Sequence, residues 1–523
     1  MLAVVLVAAS CRADEGDPTA ATATTLAPPD TVVRIGVEDW PDCVNPLTCA
    51  DDALHSSVLQ HVLPKALELG ADGEYSATPL LTEPPEPEAE DDGEVVLRYR
   101  IAEKARWSDG RPITSTDFLA TWQAVMATPE ADRTGYDRIV AVDDADPAVA
   151  VVTLDGPLVD WQELFGGASG YVLRADEFGA GPDLTGEFDT ELPMSAGPFQ
   201  LASWSEERAV LAATEPWEGR DAPDLDQVRL DRVVVDGLEE PLIYDMIVPT
   251  ARSTVAAPDG FSTVAAPTTS VLGVWLDQRS ALLQPIEHRR SVAAVVDADG
   301  LAEEVGVGAP VRCAGWVPMV GPWCEAAARE PTEPDADLAS FGLASLGWVR
   351  GEEGVLTRDD TRFTVGLTHD PAVRGSAAVA EELSAALEEI GIATDPAPID
   401  TGAWWSPRSD SNPTGVGVFA VDLGVSPRVA DLYGCPDGPE TSVTFGCPPE
   451  VVDAARRIGA AAPEDALTAV RIIGEGVAEQ VLWIPVSRVD ARSFVRDGRL
   501  DLPGGDAPLG GPLARLEQFV ATD

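Results

Sequence analysis

A chain of 523 residues is too long for one hydrophobic core, and we expect it to divide into about two or three lobes. It carries 89 acidic and 35 basic residues, for a formal net charge of −54. This charge excludes nucleic acid as a partner, because phosphate contacts require clustered Lys and Arg. It also argues against direct adhesion of the chain to anionic lipid.

The first predicted element is a short apolar leader that ends at Cys11. Residues 2–9 are uninterrupted apolar residues, too few to cross a bilayer, which takes about 20. The pattern resembles a bacterial lipoprotein signal, which predicts a signal peptide at 1–10, lipidation of Cys11, a flexible tether at 11–30 and a location on the outer face of the cell membrane. No Lys or Arg precedes the apolar run, which indicates that the true start lies upstream. The alternative is a buried helix with a stray cysteine.

The other six cysteines form three sequence-local pairs. Such an even number indicates disulfides in an extracytoplasmic protein, and short loops cost the least closure entropy, so pairing within each local set is favoured. A metal site is disfavoured because the chain has no CxxC motif and its four histidines do not stand at ligand spacing from any cysteine. We therefore predict no metal and no cofactor. The predicted disulfides are Cys43–Cys49, Cys313–Cys324 and Cys435–Cys447.

The N-terminal part of the ordered chain contains recognisable strands and helices. Residues 31–37 predict a strand, and residues 53–69 predict a helix from the spacing of their apolar side chains. Residues 94–101 alternate between apolar and polar as a strand does. A helix capped by Thr114 or Ser115 follows them.

The rest of the chain alternates strands with helices of about 10–15 residues, which is typical of βαβ units and parallel strand pairing. The predicted strands are 149–154, two around a polar turn within 195–214, 271–277, 362–368, 415–423 and 481–486. The predicted helices are 288–305 (one helix or a pair), 379–392, 449–459 and 464–480.

Several blocks of the sequence succeed one another in the order of a known family. Residues 105–122, ARWSDGRPITSTDFLATW, are similar to the W-S-D-G-x-P-[VI]-T-A-x-D block of the peptide/nickel/opine solute-binding lipoproteins that feed ABC importers. Further similar blocks lie at 45–48, 135–157, 195–217, 287–301, 381–392 and 481–486. Because the order holds from about residue 31 to 500, the chain resembles family 5 of these binding proteins, the type of the oligopeptide-binding proteins.

This resemblance implies a fold and a domain layout. The fold class is expected to be α/β and type II periplasmic-binding-protein-like, with two α/β lobes, a hinge and an inserted subdomain. The expected segments are 31–46, 191–270 and 485–523 for the first lobe, 47–190 for the inserted subdomain and 271–484 for the second lobe. The strand at 481–486, apolar on both faces, is expected to return to a sheet of the first lobe.

Few residues are candidates for contact with a solute. In peptide-binding members an acidic residue near the end of a second-lobe strand pairs with the ligand's α-amine, and Asp422 corresponds to it, although the family's tryptophan is missing here and the register with the proline differs by one. The alternative for Asp422 is a surface carboxylate at a strand end. Trp404 and Trp405 stand where the family often has a pocket tryptophan, and since neighbours point in different directions, one is expected in the core. Tyr433 and Trp40 are further candidates.

The resemblance implies a monomeric binding protein without catalytic activity. It would be the extracytoplasmic component of an ABC importer that captures a small solute, foremost an oligopeptide, and delivers it to permease subunits. One alternative is an orphan or sensory surface receptor of the same fold. Another is a secreted hydrolase, which the absence of GxSxG, HExxH and Walker A motifs disfavours. Nickel complexes, opines and sugars stay open as solutes, although few histidines disfavour direct nickel binding and the acidic surface favours neutral or cationic solutes.

Overall fold

The computed structural model describes most of the chain from Thr31 onward. The described residues are 31–49, 54–70, 72–91, 93–167, 170–179, 181–217, 220, 222–250, 253–313, 318, 321–328, 333–351, 353–405, 415–427, 433–435, 446–503 and 511–522. The predicted signal peptide, Cys11 and the predicted tether lie outside them.

The first sheet is built around the strand Val32–Val37, in which Val33 and Ile35 are buried. Its described strands have the spatial order Phe261–Ala266, Ala491–Arg496, Met246–Val248, Val32–Val37, Gln227–Arg232, Arg208–Ala213 and Phe199–Ser205. The central strand runs parallel to both neighbours, and the other pairs are antiparallel. All these strands fall within the three segments predicted for the first lobe, while the lobe boundaries themselves stay a prediction.

The inner strands of the second sheet are buried on both faces. Its described strands have the spatial order Ala393–Pro398, Thr364–His369, Gly415–Asp422, Ser270–Leu276 and Trp483–Arg488. Successive side chains of a strand point to opposite faces, so Val418 packs into one apolar core and the next residue, Phe419, into another. Strands covered on both sides consist of nearly continuous apolar residues, and this pattern is the basis on which strands were expected at 271–277 and 415–423. The strands Ser270–Leu276 and Gly415–Asp422 confirm both expectations.

A third sheet lies between residues 47 and 190. Its described strands, all antiparallel, have the spatial order Glu88–Ala89, Val95–Arg100, Val149–Leu154 and Ile139–Asp146. The helix Ser115–Ala127 packs on this sheet and buries Phe118. It begins with a capping box, in which the Thr114 backbone N–H donates to the Asp117 carboxylate at 2.9 Å and the Thr114 side chain accepts from the backbone of Asp117. The predicted cap at Thr114 is therefore confirmed.

Helices cover both faces of the second sheet. Ser376–Glu389 contributes to one apolar core, and Pro449–Ile458 and Pro463–Gln480 contribute to the other. Further helices are Ile286–Ala293, Ala298–Val305, Gly321–Ala326, Ala336–Ser345 and Thr401–Trp405. Small antiparallel sheets comprise Leu67–Leu69 with Tyr75–Ala77, Leu500–Asp501 with Val520–Ala521, and Val349–Arg350, Leu356–Arg358 and Thr361–Arg362. Every helix in the described part of the chain is too short or too polar to cross a bilayer.

The chain passes between the first and second sheets through two short connections. One joins Phe261–Ala266 to Ser270–Leu276, and the other joins Trp483–Arg488 to Ala491–Arg496. The connections are hydrogen-bonded to each other: Thr268 Oγ1 donates to the Val489 carbonyl at 2.7 Å, and the Val489 N–H donates to the Ser270 carbonyl at 2.8 Å. Together they form the joint between the two sheets, which we call the hinge.

Three sequence expectations are wrong. The strand Trp483–Arg488 pairs with Ser270–Leu276 in the second sheet, and the next strand returns to the first sheet, because burial on both faces does not say which sheet a strand joins. The helix expected at 53–69 is cut to the helical turns His55–Leu59 and Gln60–Val62, since Leu63 is extended before a proline. Parallel pairing is confined to four of the strand pairs in the described residues, and the other pairs are antiparallel.

The three predicted disulfides are present. The distances between paired Cα atoms are 5.7 Å for Cys43–Cys49, 5.1 Å for Cys313–Cys324 and 6.2 Å for Cys435–Cys447, all within the range that a disulfide spans without backbone movement. On a loop-entropy account, each closes a short loop and contributes about 2–3 kcal/mol to stability.

Candidate ligand-binding cleft

A cavity of about 1570 Å³, which we call the cleft, lies where the first sheet, the 47–190 segment and the second sheet meet the hinge. Val37 and Glu38 line it at the end of the central strand of the first sheet, Asp422 at the end of a second-sheet strand, and Thr268 and Val489 at the hinge. Pockets for small molecules commonly enclose about 300–1,000 Å³. The cleft therefore has room for a solute much larger than one amino acid.

Of the predicted site residues whose side chains the structure describes, Asp422 lines the cleft. It is exposed at the end of the strand Gly415–Asp422. Its Oδ1 accepts hydrogen bonds from Thr269 Oγ1 at 2.6 Å and from the Gly424 N–H at 2.7 Å, which fix the carboxylate in one orientation. Its Oδ2 accepts no hydrogen bond from the described residues, and no Lys or Arg among them forms an ion pair with it. The position thus combines a fixed carboxylate with an available acceptor oxygen.

Lys65 provides a half-buried positive charge in the part of the cleft that the 47–190 segment lines. Its Nζ donates to the Gly167 carbonyl at 2.8 Å and lies 4.7 Å from the centre of the Tyr171 ring, a cation–π distance. Burial lowers the pKa of Lys65 to about 8, against the raising effect of the carboxylates of Glu68 and Glu163. Lys65 is therefore held in place by local partners.

Among the described residues that line the cleft, acidic side chains outnumber basic ones. The acidic residues that line it are Glu38, Asp39, Glu68, Asp224, Asp236, Asp422 and Glu517. The basic residues that line it are Lys65, Arg220 and Arg515. Some of these acids have structural partners: the Glu38 carboxylate accepts from the backbone N–H groups of Val235 at 3.2 Å and Thr250 at 3.0 Å. The charges of these described residues create a negative potential, which attracts positively charged groups.

The structure places the predicted aromatic site residues away from the cleft. Trp404 is 1% exposed and packs on Phe419, with ring centroids 5.1 Å apart, in an apolar core behind the second sheet. Tyr433 is 1% exposed in the same core. Trp40 is half-buried against the core of the first sheet, where its Nε1 donates to the Ser205 carbonyl at 3.3 Å. None of these three is among the described residues lining the cleft, so their positions disagree with the predicted ligand contacts.

Trp405 closes the short helix Thr401–Trp405, but its side chain lies outside the described part of the structure. The expectation that one tryptophan of this pair packs in the core agrees with the position of Trp404. The role predicted for Trp405 stays a prediction.

Sequence reasoning missed most residues of the cleft. Lys65, Tyr171 and Arg220 come from loops far apart in the chain, and no motif marks them. One signal was available for Lys65, since it is one of only two lysines among 35 basic residues. Trp217, which lines the cleft and packs on the first-sheet core, was noted only as part of a family block.

Comparisons with known proteins place this architecture in a family. The family model "Bacterial extracellular solute-binding proteins, family 5 Middle" matches residues 77–433, more than half of the chain. The chain belongs to this family. Its members are solute-binding proteins of ABC transporters and are not enzymes, which confirms the predicted family and the absence of catalysis.

Two curated relatives and one solved structure illustrate the similarity. Protein XP55 of Streptomyces lividans is 26% identical over 367 residues, 66% of this chain and 63% of XP55. The oligopeptide-binding protein OppA of Mycobacterium tuberculosis is 29% identical over 213 residues, 38% of this chain and 34% of OppA. The chain thus aligns with less than two thirds of either relative. The structure of the periplasmic EDTA-binding protein EppA, at 18% identity, has a TM-score of 0.74 over 94% of this chain and 96% of EppA, which confirms the predicted α/β, type II binding-protein fold.

Proposed function

We propose that this chain is the extracytoplasmic receptor of an ABC importer, that it captures an oligopeptide in the cleft, and that Asp422 pairs with the peptide's α-ammonium group. In this proposal Cys11 carries the lipid anchor that holds the monomeric receptor at the outer face of the membrane. The receptor then delivers its solute to permease subunits.

The observation that carries the proposal is the geometry of Asp422. Its carboxylate is oriented by Thr269 and Gly424, while Oδ2 accepts no hydrogen bond from the described residues. An ammonium group is the natural partner, because hydrogen bonds between ionised groups are about twice as strong as neutral ones. Such a contact attaches the amino end of a peptide to the second sheet.

The size and charge of the cleft support the same class of solute. A volume of about 1570 Å³ accommodates several residues of an extended peptide. The excess of acidic lining residues favours a positively charged end. OppA, the relative from Mycobacterium tuberculosis, is named for oligopeptide binding.

Calorimetric titration of the purified chain with defined tri- to pentapeptides tests the proposal. We expect saturable binding of peptides with a free α-amine, and binding weakened at least about tenfold by N-acetylation. Asp422→Asn keeps the shape and the contacts of Oδ1 but removes the charge, and should weaken binding of the free-amine peptide to the level of the acetylated one. Binding also stabilises the folded chain, by about 2.7 kcal/mol at 100 times the dissociation constant.

The matched control is Asp501→Asn, which removes an exposed aspartate from another strand end, outside the cleft-lining residues. It should bind as the unaltered chain does. Equal affinities for free and acetylated peptides would overturn the role of Asp422. If peptides bind but cells that lack this chain import them unimpaired, the alternative of an orphan or sensory receptor is favoured over an importer.

A further inference from the structure

Arg220 is a cleft residue whose hydrogen-bonding capacity is only partly used. Its Nη2 donates to Thr214 Oγ1 at 2.9 Å and to the Glu215 carbonyl at 2.7 Å. Its Nε and Nη1 are buried, and none of the described residues accepts a hydrogen bond from either atom. The guanidinium is thus held at one end while two of its nitrogens lack acceptors.

Arg220, which is half-buried, also lacks a carboxylate partner among the described residues, in contrast to Arg174 and Arg279. Arg174 is paired with Asp109 at 2.8 Å and with Asp176 at 2.5 Å. Arg279 is paired with Asp277 at 2.9 Å.

Where a carboxylate is missing, backbone carbonyls can take its place. Arg289 is 2% exposed, and its donors are occupied by the carbonyls of Gln480, Leu283 and Gln284 at 2.7–2.9 Å. Arg220 has no carboxylate partner among the described residues, and a carbonyl group accepts from only one of its nitrogens. Burial lowers the pKa of its guanidinium. A buried charge without a counter-charge is costly, so the site gains most from a partner that enters with the solute.

We infer that Arg220 binds a carboxylate group of the solute. The inference rests on the proposed function, since it requires that the cleft holds a solute. Guanidinium and carboxylate are well matched, because the guanidinium presents fixed planar donors to the two oxygens. Because Nε and Nη1 are buried, this contact requires the guanidinium to turn toward the cavity that Arg220 lines, and the new ionic hydrogen bonds then replace those that Nη2 makes to Thr214 and Glu215.

The position of Arg220 relative to Asp422 sets the class of solute. Arg220 stands before the first-sheet strand Gln227–Arg232, whereas Asp422 ends a strand of the second sheet, and both line the same cleft. We therefore expect a solute with an ammonium at one end and a carboxylate at the other to contact the strand end at Asp422 and the stretch that carries Arg220 at the same time. Such a dipolar solute binds the closed arrangement of the sheets better than an open one, and therefore stabilises it.

The experiment is a calorimetric double-mutant cycle on the full chain. Its four arms combine the unaltered chain and Arg220→Gln with one peptide in two forms, the free acid and the C-terminal amide. We expect the free acid to bind the unaltered chain about tenfold to a hundredfold more tightly than it binds Arg220→Gln, the range for a charge-assisted hydrogen bond. The amide should bind both proteins equally and weakly.

Arg229→Gln is the matched control, because it removes an arginine of the neighbouring strand that does not line the cleft. It should leave the preference for the free acid unchanged. The thermal midpoint of unliganded Arg220→Gln should not fall, since the substitution removes an unpaired buried charge. If Arg220→Gln fails to fold, Arg220→Lys replaces it, and the selectivity for the acid should drop because the planar fork is lost.

The carboxylate could belong to a metal chelate instead of a peptide. A parallel titration with Fe(III)-EDTA tests this alternative. Chelate binding that Arg220→Gln weakens and Arg229→Gln does not supports the inference with a chelate as solute. If Arg220→Gln weakens binding of the free-acid peptide and of the amidated peptide by the same factor, the inference is overturned and the proposed function stands. If the unaltered chain binds neither peptide nor chelate, the proposed function fails and the inference fails with it.

Discussion

The two sides of the cleft are built in different ways. On the second-sheet side Asp422 ends a strand whose preceding residues are all buried, and two short hydrogen bonds fix its carboxylate. In the 47–190 segment and in the stretch before the first-sheet strand Gln227–Arg232, Lys65 and Arg220 carry charges whose pKa values are lowered by burial. The difference is between one carboxylate that hydrogen bonds hold in a fixed orientation and two cationic groups whose pKa values depend on how deeply the surrounding segments bury them.

The largest expected effect tests whether the aromatic residues behind the second sheet are core residues. Trp404→Ala should lower the free energy of unfolding by about 3–5 kcal/mol, as is usual when a large buried side chain is truncated, with little change in peptide affinity. Denaturant titration and calorimetry measure the two quantities. Trp217→Ala, at a half-buried tryptophan that lines the cleft, should weaken peptide binding and lower the free energy of unfolding less than Trp404→Ala does. A loss of affinity without a loss of stability in Trp404→Ala would contradict its assignment to the core.

The second prediction is that the charge of Lys65 makes the stability of the folded chain depend on pH within a defined range. Its pKa is about 8 in the folded chain and 10.5 ordinarily, so between these values the unfolded chain binds a proton that the folded chain has released. The free energy of unfolding therefore rises with pH through this window, by on the order of 2–3 kcal/mol relative to Lys65→Met, which lacks the titrating group.

Unfolding curves at pH 7.5, 9 and 10.5 measure the effect of Lys65. The control is Lys104→Met, which removes the chain's other lysine at an exposed position. The quantity compared is the rise in the free energy of unfolding between pH 7.5 and 10.5. If Lys65→Met shows the same rise as Lys104→Met, Lys65 is not the buried titrating group.

The smallest effect tests the rigidity of the anchor. Thr269→Val removes the hydroxyl that donates to Asp422 Oδ1 at 2.6 Å and should weaken peptide binding by about 1 kcal/mol, or roughly fivefold. Thr263→Val, at an exposed position of a first-sheet strand, controls for the change of side chain. An unchanged affinity in Thr269→Val would show that the carboxylate needs no support from the hinge.

The sequence predicted those parts of the fold in which one local pattern decides the outcome. The strands at Ser270–Leu276 and Gly415–Asp422 are continuous apolar runs, and the helix after Thr114 begins with a cap that the sequence displays. The helix expected at 53–69 failed at Leu63 and Pro64, because apolar spacing continued past a proline that ends the helix.

The site was less predictable than the fold. Asp422 was found because a family resemblance placed an acid near a strand end, and the structure brings it to the cleft. Lys65 and Arg220 were not found, since nothing local distinguishes a charged loop residue that becomes buried from one that stays in water. The Gly167 carbonyl that binds Lys65 lies 102 residues away in the sequence, and the cavity that Arg220 lines is formed by residues from distant parts of the chain, which only the tertiary fold brings together.

The hinge dictates how the cleft can open. Both connections between the sheets are only a few residues long, run side by side and are tied to each other at Thr268 and Val489. A joint of two short, parallel connections favours rotation of one sheet relative to the other about the hinge. In such a rotation the side of the cleft farthest from the hinge moves the greatest distance, so we expect a solute to enter and leave on that side.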